Sequence, residues 1–531
     1  MTTVRDTTLD MLRQVGMHRM FANPGSTEVP FLVDLPDDFE FILGLHEGAV
    51  VGMATGHAIA TGRPALVVLH TTAGLGNAVG ALATARVNRA PLVVLVGQQD
   101  RRHLAREPFL AGRLHGLAGA YPVWKHQPVL PQDVPGAVQR AWHEAVQRRG
   151  PAVVVVPMDD WSAEFDKSLG LAGPAAIVRA RRDPGPAVDE VVRLLEGAAA
   201  PVLVVGAGAD DQQAWTALVA LARRLGAPVW QEAFGARAGF PQDDPQFAGH
   251  LPANRSDLRS VLAVHDVALV VGTSAFRQYR YEPGPLVPDG LRVAVISDDP
   301  DELHHSHADV AVLADPAAAC AAITARLWPR PLIPVRRAAS EVEPPRGDDQ
   351  LLATHVFAAL AERLPRETVL VEETPSTRPD LHRLLPARTP RGFVSAAMGG
   401  LGFALPAAAG LRLGDPSRPV VAVLGDGSSL YAIQGLWSAA RYGCGVLYIV
   451  LNNGRYAIMD RLAGDGRGKP PWPAFTDIDF TELSRSLNCP ASRITSHSEL
   501  ISALDDILPH LADRTEPLLL DVSVAVHHPT T

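Results

Sequence analysis

The strongest constraint on this chain is a recurrence. Short, unbroken runs of Val, Leu and Ile alternate with longer helical patterns along nearly all of its 531 residues. Runs without polar alternation belong to strands buried on both faces, which is the condition of a parallel sheet covered by helices. Residues 65–70 (ALVVLH) and 92–97 (LVVLVG) read as such strands, with a helical pattern from Leu75 to Asn88 between them, and 151–157 (PAVVVVP) closes a first unit. After a loop at 170–186 come PVLVVGAG (201–208), VALVVGT (267–273) and LRVAVISDDP (291–300). The stretch 329–348 is proline-rich, charged and aperiodic, which marks a linker. A last group holds TVLVEE (368–373), PVVAVLGDG (419–427) and GVLYIVLNN (445–453). A chain of this length exceeds one core. The expected fold is α/β, with three doubly wound parallel-sheet domains in series: 1–170, 185–330 and, after a linker at 331–348, 349–531.

Composition removes several function classes. A net charge of −9 offers no basic face for nucleic acid and no polybasic membrane patch. Lys125, Lys167 and Lys469 are the only lysines, so the arginine count by itself says little about anion binding. Cys320, Cys444 and Cys489 are far apart with no CxxC, against a disulfide framework or a zinc site. The opening MTTVRDTTLDMLRQVG lacks a signal peptide's apolar stretch, and no run is long enough to span a bilayer. The expectation is a cytoplasmic protein with no membrane and no nucleic-acid partner.

The most informative stretch runs from Gly425 to Asn453. Gly425-Asp426-Gly427 ends one strand, a helical pattern fills 430–442, and Asn452-Asn453 ends the next strand. In a parallel sheet both ends lie on the carboxyl edge, where ligands bind. Mg²⁺ seeks oxygen ligands and pairs with substrate phosphates. Asp426 offers a carboxylate, Asn453 an amide oxygen and Arg455 a backbone carbonyl. Gly425 and Gly427 let backbone approach phosphates, and Ser428 opens a helix whose amides favour an anion. Either turn alone is common; the pair at adjacent strand ends specifies much more.

This pairing resembles the diphosphate-binding motif of thiamine-diphosphate enzymes. The likeness extends over nearly the whole chain: FANPGSTEVPFL, LHTTAGLGNAVGAL, FRQYRYEPG, MGGLGFALPAA and LGDGSSLYAI are similar to the benzoylformate decarboxylase branch of that family. The resemblance implies pyrimidine-binding, central and diphosphate-binding domains in that order, with thiamine diphosphate and Mg²⁺ as cofactors. It also implies a homodimer at least, and by expectation a homotetramer, with each site shared between two subunits.

On this resemblance Glu47 is the carboxylate that faces the aminopyrimidine ring. A first-turn glutamate is otherwise explained by the helix dipole. Ser26 sits on a strand-to-helix turn where a hydroxyl could cap the helix; the resemblance gives it the substrate carboxylate. His70 closes an apolar strand on the ligand edge, badly placed for packing and well placed to move a proton. The resemblance makes it the acid/base residue at the substrate carbonyl. His46 reads as structural. The Gly399 carbonyl can accept the 4′-amino hydrogen, Leu401 is the wedge that bends the cofactor, and Thr374 and Tyr456 join the cofactor contacts. By register, Ile458, Met459 and Leu462 line an apolar acyl pocket, and 464–473 (GDGRGKPPWP) reads as a mobile lid.

One position departs from the family. Tyr279 stands where the similar decarboxylase has a histidine that helps protonate the product after CO₂ leaves. Tyrosine, with a reference pKa near 10, relays protons less readily at neutral pH. The resemblance as a whole still implies decarboxylation of an aryl or bulky apolar 2-oxo acid to an aldehyde. Carboligation of the acetolactate-synthase kind is the alternative, favoured by Tyr279 and disfavoured by the Ser26 and His70 pair. A flavin or nicotinamide enzyme is a third class, resting on VVGAGAD (204–210), which lacks the third glycine of a dinucleotide loop.

Overall fold

A computed structural model describes residues 1–170, 173–175, 177, 183–332, 335, 341–346, 349–465 and 470–526. The expected linker, the loop at 170–186 and the expected lid fall partly outside these residues.

Three six-stranded sheets follow one another along the chain. The first contains β1 (Arg19–Asn23), β2 (Glu40–Leu43), β3 (Ala65–Leu69), β4 (Leu92–Gln98), β5 (Trp124–His126) and β6 (Pro151–Pro157) in the order β2-β1-β3-β4-β6-β5. The second contains β7 (Pro201–Val205), β8 (Val229–Gln231), β9 (Phe247–His250), β10 (Val267–Val271), β11 (Arg292–Ser297) and β12 (Val310–Leu313), ordered β12-β11-β10-β7-β8-β9. The third contains β13 (Val369–Glu373), β14 (Phe393–Ser395), β15 (Val420–Gly425), β16 (Val446–Asn452), β17 (Ala491–Ile494) and β18 (Leu518–Ser523), ordered β14-β13-β15-β16-β18-β17. The central strands β3, β4, β6, β7 and β10 are buried at every position. Their unbroken apolar runs are what two helical covers demand.

By compactness the chain forms two units: Met1–Val178 with Val371–Ser376 and Met398–His528, and Arg179–Leu370 with Thr377–Ala397 and Pro529–Thr531. The first unit therefore holds the N-terminal sheet together with most of the third. Helix Glu47–Thr61 and helix Ala404–Gly414 bind the two, and both are buried on nearly all sides. Their contact is built from glycine. A Cβ on Gly56 would fall on the Ala407 carbonyl oxygen, and one on Gly410 on the Met53 carbonyl oxygen. Gly52 faces Pro406, and Gly414 faces Ala60 and His57. Two GxxxG segments, 52–56 and 410–414, thus let the backbones touch.

Helix Ala404–Gly414 is also fixed at its N-terminus. The Glu373 carboxylate, at the end of β13, accepts the N–H groups of Gly402 (2.7 Å), Phe403 (2.9 Å) and Ala404 (2.7 Å). Burial raises its pKa from the ordinary glutamate value of 4.5 to about 7, against the opposing pull of those three donors.

One expected element differs. The helix read over 430–442 forms only at Gly435–Arg441, preceded by a one-turn helix, Asp426–Ser429. The first turn begins on the motif itself because Gly425 stays extended and Asp426 starts the turn.

Two expectations follow. Gly410→Ala should lower stability by about 3 kcal/mol, since no rotamer change can move a carbonyl on a facing helix. Chemical denaturation that places the variant level with the parent would contradict this contact. For Glu373, the folded chain keeps a proton that the unfolded chain has lost between pH 4.5 and about 7. Its contribution is thus full below the lower value and lost as pH rises through the higher one, a difference worth about 3 kcal/mol. Melting curves from pH 4 to 8 should show the parent losing stability relative to Glu373→Gln across that window; parallel pH slopes would refute it.

Candidate functional site

In the first sheet the strand order reverses between β1 and β3, the place where doubly wound sheets open a crevice at their carboxyl edge. The expected residues gather on that edge. Glu47 opens its helix and is buried. Its two oxygens accept from the side-chain amides of Asn23 (3.1 Å), at the end of β1, and Asn77 (3.0 Å), in helix Thr72–Val87. His46 caps the helix, its Nδ1 accepting from Gly48 N–H at 3.0 Å, so it is structural as expected.

His70 lies one residue beyond β3. Its Nδ1 is 3.1 Å from Glu28 Oε2 and 3.0 Å from Thr27 Oγ1. Glu28 and Thr27 are buried, and the Thr27 hydroxyl donates to Glu28 Oε1. Gly25 N–H donates to Glu28 Oε2 at 2.7 Å. This cluster is tight enough to dictate glycine twice: a Cβ on Gly25 would strike the His70 ring, and one on Gly97 in β4 would strike the Glu28 carboxylate. Ser26 is exposed on the same turn, and the short helix that follows, Val29–Leu32, has no side-chain cap. The capping explanation for Ser26 is therefore not what the turn displays.

In the third sheet the two halves of the GDG…NN motif are bonded to each other. Asp426 Oδ1 accepts Gly427 N–H (2.6 Å), and Oδ2 accepts the N–H groups of Asn453 (2.8 Å) and Gly454 (2.6 Å). β15 and β16 pair in parallel with Gly425 opposite Leu451, which brings the two turns together. Asp426 is buried, which raises its pKa, and among the described residues it has no cationic partner. Asn452 turns away to donate to Asp521 Oδ1 (2.9 Å), leaving Asn453 as the outward amide. The Asn453 side-chain oxygen accepts Arg455 N–H at 3.1 Å. A buried carboxylate without a counter-charge, bonded to a turn that carries an amide oxygen, offers hard-oxygen donors that fit Mg²⁺.

Around this edge Ser428 is buried, and the Tyr456 ring occupies the space a Cβ on Gly427 would need. Thr374 is buried and bound through its N–H and hydroxyl to Glu372 Oε1 (2.6 and 3.0 Å). Gly399 is exposed with φ +69°, a conformation that favours glycine, and Leu401 is half-buried after it. Ile458, Met459 and Leu462 share one side of helix Ala457–Asp465, with Met459 exposed. Trp472 Nε1 donates to Asp460 Oδ1 at 2.9 Å, tying the end of the expected lid to that helix; residues 466–469 lie outside the described residues.

Tyr279 belongs to the second unit. Its N–H donates to the Ala253 carbonyl (3.0 Å) and its side chain is 65% exposed, so it does not serve as core packing. The glycine loop after β7, in contrast, is closed. Gly206, Gly208, Ala209 and Asp210 spend their N–H groups on Val271, Gly272, Gly206 and Ala207 carbonyls. Gly239 presses on Gly206, and Gly272 on Gly208 and Ala209. With these four amides spent inside the fold, 204–210 lacks the open donor set of a dinucleotide loop.

Sequence reading did not find Asn23, Asn77 or Glu28 as site residues, although FANPG and GSTE contain two of them. Their roles depend on partners 24 to 42 positions away.

Comparison with known proteins agrees with this geometry. Residues 2–117 match the N-terminal TPP binding domain of thiamine pyrophosphate enzymes, 188–323 the central domain, and 376–522 the C-terminal TPP binding domain. Benzoylformate decarboxylase of Pseudomonas aeruginosa is 36% identical over the full length of both chains. The structure of a thiamine diphosphate-dependent 4-hydroxybenzoylformate decarboxylase from Rhodococcus jostii superposes with a TM-score of 0.93 at 34% identity, again over all of both chains. Acetolactate synthase large subunits are more distant; that of Corynebacterium glutamicum is 26% identical across 93% of this chain and 82% of its own. With three family domains in order and full-length similarity to decarboxylases, the chain belongs to the thiamine pyrophosphate enzyme family, among its benzoylformate decarboxylase-like carbon–carbon lyases.

Proposed function

We propose that this enzyme decarboxylates an aryl or bulky apolar 2-oxo acid to the aldehyde and CO₂, using thiamine diphosphate held through Mg²⁺. The observation that carries the reading is the carboxyl edge of the first sheet, where the turn after β1 carries an exposed hydroxyl (Ser26), an oriented imidazole (His70) follows β3, and Asn23 at the end of β1 holds Glu47. Asp426, Asn453 and the Arg455 carbonyl hold the metal. Gly425, Gly427, Ser428, Thr374 and Tyr456 receive the diphosphate side, while Gly399, Leu401 and Glu47 receive the pyrimidine ring. Once bound, thiamine diphosphate supplies the electron sink that carbon–carbon cleavage requires. Ser26 binds the substrate carboxylate, and His70 moves a proton at the substrate carbonyl oxygen. Ile458, Met459 and Leu462 form the apolar wall for the acyl group. Decarboxylase relatives matched end to end support the substrate class.

Carboligation is the second reading, and Tyr279 favours it. A phenol that protonates slowly gives an added aldehyde time to capture the decarboxylated product.

One experiment addresses both readings: incubation with a panel of 2-oxo acids, thiamine diphosphate and Mg²⁺, with products identified and an aldehyde acceptor added in parallel. Benzoylformate should yield benzaldehyde faster than pyruvate yields acetaldehyde. Glu47→Gln should keep the cofactor but slow turnover at least about 10²-fold; Asp426→Ala should lose the cofactor on gel filtration. Tyr279→His should raise free aldehyde relative to ligated product. Normal turnover of Glu47→Gln at saturating cofactor would sink the assignment.

The same reading makes the enzyme a homodimer at least, and a homotetramer by expectation, with each site shared. Sedimentation of the loaded protein tests this, and a fully active monomer would overturn it.

A further inference from the structure

The hydrogen-bond directions around His70 carry more than its location. Glu28 accepts Gly25 N–H at Oε2 and the Thr27 hydroxyl at Oε1, and its Oε2 lies 3.1 Å from His70 Nδ1. A carboxylate receiving such bonds acts only as an acceptor. The Thr27 hydroxyl has spent its one hydrogen on Glu28, so toward the ring Thr27 Oγ1 can only accept as well. Both neighbours of His70 Nδ1 are therefore acceptors, and the proton of the neutral ring is drawn to Nδ1. Nε2 has no partner among the described residues and is left with its lone pair free.

We infer that Glu28 is a positioning residue that holds His70 in the Nδ1–H tautomer, so that Nε2 is the nitrogen that takes up and releases the proton at the substrate. The inference rests on the acid/base reading of His70 proposed above. The same cage explains why two glycines flank it. Gly25 leaves room for the imidazole and Gly97 for the carboxylate, so any side chain at either place would push the pair apart. Thr27 contributes a second acceptor at Nδ1, which keeps the ring plane fixed while the proton on Nε2 comes and goes. An imidazole that must work through one nitrogen gains from having the other committed in this way.

Glu28→Leu is the informative change, because it keeps the bulk and removes the carboxylate, so that the Thr27 hydroxyl, 3.0 Å from Nδ1, is free to donate to the ring. A donor facing Nδ1 selects the opposite tautomer, with the proton on Nε2. Solid-state NMR of the histidine-labelled holoenzyme, assigned by difference against His70→Asn, reads the tautomer directly and needs no turnover. The parent should show Nδ1–H at His70, and Glu28→Leu should show Nε2–H. Glu28→Gln, whose amide oxygen can serve Gly25 N–H and Nδ1 together, should keep the parent tautomer. In the loaded Glu28→Leu enzyme kcat should fall by about 10²- to 10⁴-fold, with KM held within about twofold, the range a misdirected general acid/base costs. An Nε2–H ring in the parent overturns the inference without any variant. So does a Glu28→Leu enzyme that keeps either its tautomer or its kcat. Failure of the underlying reading looks different: His70→Ala would then decarboxylate at the parental rate whatever tautomer the ring adopts.

Discussion

The first unit depends on a contact that has no chemistry of its own, the crossing of helices Glu47–Thr61 and Ala404–Gly414. Gly52, Gly56, Gly410 and Gly414 let these two backbones touch, and a facing carbonyl cannot yield as a side chain can. The crossing stands five residues from Glu47, about 7.5 Å along the helix axis. On the facing helix, Ala404–Gly414, Gly410 lies further along the chain from the loop that carries Gly399 and Leu401. A shift of one helix along the other would displace the carboxylate and the loop relative to each other at once. Further bonds restrain the same pair of sheets: Arg19 Nη1 to the Leu413 carbonyl (2.7 Å), Leu43 N–H to the Tyr442 hydroxyl (2.7 Å) and the Ser438 hydroxyl to the Leu43 carbonyl (2.9 Å).

Four buried carboxylates then divide the work by what satisfies them. Glu373 is held by three backbone amides at a helix N-terminus and Glu47 by two side-chain amides. Glu28 is held by an amide, a hydroxyl and an imidazole. Neutral donors fix an acid's position without neutralising its charge, unlike an arginine pair. Asp426 likewise receives three amides, and among the described residues it has no cationic partner. Elsewhere in the first unit the pattern is the ordinary one: buried Asp160 pairs with Arg101 at 2.6 Å.

What the sequence disclosed follows the range of the interactions involved. Strands such as Pro151–Pro157 and Leu92–Gln98 were legible because burial on both faces leaves a local signature. Asp426 and Asn453 were legible because two turns at adjacent strand ends are rare together, and the structure bonds one to the other. The glycine crossing was not legible. GMATG and GLRLG read as ordinary helix with weak propensity until the facing carbonyls are known. Glu28 was hidden for a related reason, since at the start of a helix a glutamate already has an adequate local explanation. The helix expected over 430–442 shortened because periodicity locates apolar faces better than it locates ends.

The second unit shows how the same architecture can be withdrawn from ligand binding. Its sheet has the strand order and the glycine-rich first turn of a nucleotide-binding fold. A phosphate loop works by leaving its amides unpaired at a helix N-terminus. Here Gly206, Gly208, Ala209 and Asp210 have their N–H groups bonded to backbone carbonyls, and Gly239 and Gly272 bring neighbouring backbone against the turn. Helix Gln212–Leu225 does not fill the gap, because Asp211 caps it by accepting from Gln213 and Ala214. An anion brought there would meet a carboxylate in place of free donors. What this unit keeps exposed is the segment at Tyr279, while the residues proposed above to hold the cofactor all lie in the first unit.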